Sequence, residues 1–225
     1  MNAGFRRFAR GAAAAAAALF VGAAFAQQQD VGLLNHLAGD VSYTSGTGTA
    51  KAKPFMKVRE GDRFRVAAGA QVRLVYFQGS RQESYSGPAA FTAGTQQSTV
   101  QSGAQPQVTT LPSGVPQKIA QTPELIQIAK LGRSGGVAVR GLNRDQRLTP
   151  QQQAEVRQAK QTYEQLRAST AADDITPELY LYSVLQDHLL YGEMKPVVAE
   201  MQKRQPGNPD VAIMADYVKV KTEAR

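Results

Sequence analysis

The sequence predicts a mixed chain, a β half followed by a helical half. Three observations carry the prediction. From Leu37 onward apolar residues tend to recur at every second position, the period of half-buried strands. Beyond residue 117 the period changes to that of helices, and four helix starts with Thr-Pro or Asn-Pro can be read. Between the two lies "TAGTQQSTVQSGAQPQVTTLPSGVPQ", residues 92–117, rich in Gly, Ser, Thr and Pro, which reads as edge strands fading into a linker.

The N-terminus predicts export. "MNAGFRRFARG" is basic, "AAAAAAALFVGAAFA" is uncharged, and Ala24-Phe25-Ala26 places small residues where a signal peptidase cuts. Residues 1–26 are therefore expected to be a signal peptide cleaved after Ala26, leaving a periplasmic or otherwise extracytoplasmic chain without a transmembrane segment. The sequence has no cysteine, so neither a lipid anchor at the cleavage point nor a disulfide can form, and packed cores must supply the stability. The positive charge is uneven. Residues 27–118 hold nine Lys/Arg against five Asp/Glu, a balance of +4, while residues 119–225 hold fourteen against thirteen, a balance of +1. The first half is the one that would attract a polyanion. In an extracytoplasmic setting that means an anionic envelope polymer or an acidic protein rather than nucleic acid.

Residues 27–110 are expected to form an all-β domain, sandwich or solenoid-like. Val41 and Tyr43 alternate, then Phe64 and Val66, then Val72, Leu74 and Tyr76. "VYF" at 75–77 is apolar on both faces, which suits a central strand. Gly61-Asp62, Gly69 and Gly79 mark structural turns where positive φ favours glycine. With the apolar residues facing in, Arg63, Arg65 and Arg73 are expected to share the opposite face, and if the two short strands of residues 58–80 pair as a hairpin the three guanidiniums lie within two or three strand spacings, each about 4.8 Å. Two accounts of that row stand: a solvated face with local pairing to Glu60 and Asp62, or an anion- or partner-binding row.

Residues 111–148 are expected to be a linker holding a short helix at 122–131, stopped by Gly132 and Gly135-Gly136, and a strand at "VAVR". Residues 149–225 read as a helical hairpin region. Thr149, Thr176 and Asn208 are its expected N-caps, each followed by a proline, and Gln152 completes a capping box with Thr149. Helix 150–168 has a thin apolar stripe, Ala154, Val156, Ala159, Tyr163 and Leu166, so it should pack on one side only. Leu181, Val184, Leu185 and Leu189 form the face of the next helix, and Val197, Val198 and Met201 that of its return.

"LAGDVSYT" (37–44), "VREGDRFRVAAGAQVRLVYFQGS" (58–80) and "SYSGPAAFTAG" (84–94) resemble the FecR-like domain family, with Gly61-Asp62, Gly69-Ala70, Val72, Leu74 and Gly79 at the matching features. The resemblance implies an extracytoplasmic all-β module without catalysis. Founding members relay an iron-siderophore signal to a sigma factor, and carry a cytoplasmic segment and a membrane helix where this chain has its leader. The C-terminal helices resemble a degenerate tetratricopeptide-type hairpin of at most one and a half repeats. Such a hairpin must bury its face on the β half, on helix 150–168 or on another chain.

Catalytic signatures are missing from the sequence. The two histidines, His36 and His188, fall one in each half. With no cysteine beside them the usual zinc sites cannot be assembled. "SGTGTAK" (45–51) superficially resembles a phosphate loop but lacks Gly before Lys51, and Pro54 follows, so a hairpin loop is expected. Asp173-Asp174 reads as the solvated approach to a helix cap. The expectation is an exported, non-catalytic envelope protein without cofactor or metal, whose β module binds or scaffolds and whose helices contact protein. The alternatives are an extracytoplasmic signalling component and, more remotely, an enzyme acting on envelope polymers.

Overall fold

The computed structural model of the chain describes residues 29–133 and 148–223. The leader at 1–26 and the strand expected at 137–140 lie outside those residues.

Ten strands come first: β1 (Asp30–Ala38), β2 (Val41–Ser45), β3 (Gly48–Lys51), β4 (Lys57–Arg59), β5 (Arg63–Val66), β6 (Gln71–Tyr76), β7 (Arg81–Ser86), β8 (Ala89–Ala93), β9 (Ser98–Gly103) and β10 (Gln107–Thr110). They form two five-stranded antiparallel sheets. Sheet A has the order β10-β7-β6-β1-β4, and sheet B the order β3-β2-β5-β8-β9. "SGTGTAK" is the β2–β3 hairpin, with Ser45 opposite Gly48. β9 and β10, from the polar stretch after residue 92, stand at an edge of sheet B and of sheet A. The sheets face each other across a core of Val31, Leu34, Val72, Leu74, Tyr76 and Tyr85 from sheet A and Val41, Phe64, Val66, Ala89, Phe91 and Ala93 from sheet B. A run of stacked rings crosses it. Tyr43 lies 5.8 Å from Phe64, Phe64 5.0 Å from Phe91, and Phe91 4.0 Å from Tyr85 of the opposite sheet.

This arrangement corrects the expected hairpin. β5 and β6 do not pair: β5 lies between β2 and β8 in sheet B, and β6 between β1 and β7 in sheet A. The residues between them, around Gly69 at φ +74°, carry the chain from one sheet to the other. Phe64, Val66, Val72, Leu74 and Tyr76 all point into the core, but from opposite walls. Period two fixes which side of its own strand a residue takes, and it reads the same for a neighbouring strand and a facing one.

Gly61 (φ +85°) and Gly79 (φ +83°) also stand in the left-handed region. At Gly61 an added Cβ would meet open space, so the backbone angle and not crowding favours glycine there. The Asp62 carboxylate is buried in this turn, its Oδ2 accepting the Arg59 N–H at 2.9 Å.

Six helices follow among the described residues: α1 (Val115–Ile119), α2 (Thr122–Arg133), α3 (Pro150–Ser169), α4 (Thr176–Asp187), α5 (Tyr191–Arg204) and α6 (Pro209–Glu223). α4 packs on α1, α3 and α5, and α6 on α5 and α2. Their apolar faces meet Leu33 and Val75 from the outer side of sheet A in one continuous core. The stretch read as a linker supplies part of it, with Leu111, Val115, Ile119, Leu125, Ile126 and Ala129 buried. α2 ends at Arg133, one residue past Gly132. A Cβ at Gly132 would lie 2.6 Å from a Tyr217 ring carbon, so this glycine lets α6 approach closely. Along α3, Val156, Ala159, Thr162 and Leu166 are buried and Ala154 is exposed. Leu189 lies beyond the end of α4 and is exposed, whereas Leu181, Val184 and Leu185 are buried.

The caps divide. Thr149 makes the full capping box with Gln152, and Asn208 Oδ1 accepts the N–H groups of Asp210 and Val211. Thr176 is not a cap. It is the first residue of α4, fully buried, and Asp174 Oδ1 takes both its N–H (2.9 Å) and its hydroxyl (2.6 Å).

Candidate functional site

Each sheet has one face turned away from the shared core, and each of these faces carries a polar constellation. On sheet A the register aligns His36, Arg73, Ser84 and Gln107 across four strands. A β-bulge in β1 places this row. Leu34 pairs with Leu74 and His36 with Arg73, so Asn35 is the extra residue, and both Asn35 and His36 reach the helical side.

Against this row lie Asp173 and Asp174, just before α4. Arg73 Nη2 donates to both oxygens of Asp173 at 3.4 Å, and its Nε donates to Ser84 Oγ at 3.1 Å and lies 3.7 Å from Asp174 Oδ2. The side chain is 9 % exposed. The Gln82 amide donates to Asp174 Oδ2 at 2.7 Å, and the Thr176 hydroxyl accepts from Asn35 Nδ2. The acids expected to be the solvated approach to a cap thus tie the helices to the sheet. A second buried ion group sits behind them. Glu178 is fully buried between Arg167 (3.0 Å) and Arg204 (3.3 Å), and burial, outweighing the pull of Arg167, leaves its carboxyl above the usual range.

Next to the row is a cavity of about 270 Å³ walled by His36, Gln71, Arg73, Ser84, Ser86 and Asp173. The Ser84 hydroxyl accepts an arginine N–H, an arrangement that holds the arginine and does not activate the serine. Among the described residues no cluster of three His, Asp or Glu could hold a metal ion, and no helix is long and apolar enough to cross a membrane.

On sheet B the outward face is exposed. Register places Arg63 between Thr44 and Thr92, and Arg65 between Ser42 and Ala90, with Thr49 and Lys51 on the flanking edge strand. Arg63 and Arg65 stand two apart on one strand, about 7 Å. Lys51 lies 3.4 Å from Asp40, but neither arginine has an acid partner among the described residues. The partners expected for them are occupied or remote: Asp62 is turned into its buried turn, and Glu60 makes no ion pair with either. The other arginines of the sandwich are all paired, Arg59 with Asp30, Arg73 with Asp173 and Arg81 with Glu83. The expected three-arginine row is therefore two arginines on an open face, with Arg73 on a different sheet under the helices. His188 is away from both faces, 3.2 Å from Glu155 Oε2.

Compared with protein-family models, curated proteins and solved structures, the chain matches none of them.

Proposed function

We propose that the chain is an exported, non-catalytic binding protein of the cell envelope, whose FecR-like sandwich takes an anionic envelope polymer on the outer face of sheet B. The observation that carries this reading is the pair Arg63 and Arg65, exposed and without acid partners among the described residues, where every other arginine of the sandwich has one. Two like charges about 7 Å apart repel in the free protein, and a polyanion laid along the strand relieves that repulsion. Ser42, Thr44 and Thr92 flank the arginines on the neighbouring strands and add hydroxyl groups beside them, Thr44 paired with Thr49 and Thr92 accepting from Gln101. The basic balance of residues 27–118 assists the approach of such a partner. The basic, Ala-rich leader supports export, and the helices, by covering sheet A, direct binding to sheet B.

The test is retention of the protein on isolated envelope material at low and high salt, for the parent and for Arg63→Gln/Arg65→Gln. The parent should be retained at low salt and released as salt screens exposed charges, over about 10 Å at 0.1 M. The double variant should lose most of the retention and most of its salt dependence. Equal retention of both proteins at every salt concentration overturns the proposal.

A further inference from the structure

His36 joins the sandwich to the helical layer, and its protonation state can be traced from the far end of a hydrogen-bond chain. The cap of α6 fixes the first link. Asn208 Oδ1 accepts the N–H of Asp210 at 3.1 Å and of Val211 at 3.4 Å, so the other atom of that amide is the Nδ2 donor. Nδ2 donates to Gln205 Oε1 at 2.9 Å. The nitrogen of Gln205 is then Nε2, which donates to the Asp173 backbone carbonyl at 3.1 Å and points its remaining hydrogen at His36 Nδ1, 3.3 Å away. Nδ1 must therefore be the bare acceptor. The ring proton sits on Nε2, 3.5 Å from Asp173 Oδ2.

We propose that His36 is a proton-sensitive latch between the two layers, holding the Gln205 amide as a neutral ring and releasing it when a second proton reaches Nδ1. That proton would set an N–H against the Gln205 N–H. The amide of Gln205 cannot reverse without giving up both the Asp173 carbonyl and Asn208. The charged groups facing His36 pull in opposite directions. Arg73, its register partner on β6, opposes a second cation, while Asp173 and Asp174 before α4 favour one but are already shared with Arg73. Burial, joined by Arg73, outweighs the two acids and holds the ring below the ordinary histidine value of about 6.5. A folded-state pKa below the unfolded one means that the latch contributes fully above about pH 6.5 and is lost as pH falls below it.

Amide hydrogen exchange of the purified protein at about pH 7.5 and pH 5.5, expressed as protection relative to the unfolded chain at each pH, reads this directly. Residues 173–176 and 205–208 should lose at least about threefold in protection at the lower pH. His188→Gln, which removes the chain's other histidine, should lose as much, and His36→Gln, with an acceptor that does not titrate, should show no such loss. An equal loss in His36→Gln and the parent overturns the latch. Should His36→Gln fail to fold, nitrogen NMR of the parent's histidine rings at about pH 7.5 decides. A proton on Nε2 of His36 supports the latch, and a proton on Nδ1 overturns it.

Discussion

Arg65 in "RFRV" and Arg73 in "VRLV" have the same local setting, a guanidinium between two apolar residues on a strand. Their surroundings in the folded chain are opposite. Arg65 lies on the open face of sheet B without an acid among the described residues. Arg73 lies on the equivalent face of sheet A, covered by the helical layer and set against Asp173 and Asp174. The strand pattern turned both away from the sandwich core. What differs is what covers each face, and that depends on contacts a hundred residues apart.

The largest expected effect breaks the covered face. Arg73→Leu leaves Asp173 and the buried Asp174 without their cation and frees Ser84, so it should destabilise the protein by about 3–5 kcal/mol in chemical denaturation. Arg65→Leu should change stability by less than about 0.5 kcal/mol. Similar losses for the two would mean that the helices do not cover sheet A as described.

How much could be read beforehand follows the same division. The β-then-α order, the turns at Gly61 and Gly69 and the caps at Thr149 and Asn208 are local, and local residue chemistry announces them. The placement of β5 and β6 in different sheets is not local, because alternation is blind to it. Asn35-His36 did leave a trace. Two polar residues in succession inside "LLNHLA" break the period of two, which is what a bulge does. Asp173-Asp174 left none, since acids ahead of a helix are ordinary and only the facing Arg73 gives them their role. Gly132 marks the end of α2, as its residue type suggests, but its second role, the close approach of the Tyr217 ring, is set by a residue far along the chain.

A finer contrast uses two threonines with the same sequence signature. Thr176→Val removes a fully buried hydroxyl that engages Asn35, Gln82 and Asp174, leaving polar groups of both layers unpaired. It should cost about 1–3 kcal/mol. Thr149→Ala removes an exposed cap whose side-chain hydrogen bonds among the described residues stay within its own helix, and about 1 kcal/mol is expected. The two also differ in where the damage falls. Thr176→Val should lower exchange protection on sheet A at residues 35 and 82, while Thr149→Ala should affect only the first turn of α3. A Thr149→Ala effect on sheet A would show that α3 and the sandwich are coupled more tightly than their contacts indicate.

The smallest stability effect belongs to the open face. Arg63 and Arg65 repel each other across about two residues of strand and hold no acid among the described residues, so nothing described of the fold requires their charge. Replacing both with glutamine keeps the aliphatic cover over the sheet and removes the repulsion. Stability should therefore stay within about 0.5 kcal/mol of the parent, and a small gain should shrink as salt is added, because screening weakens the repulsion in the parent alone. This separates fold from function at one site: the double variant that should lose retention on envelope material should keep its melting temperature. A fall of several kcal/mol would mean that the arginines serve the sandwich itself, through a partner outside the described residues, and the face would then lose its claim to be kept for a ligand.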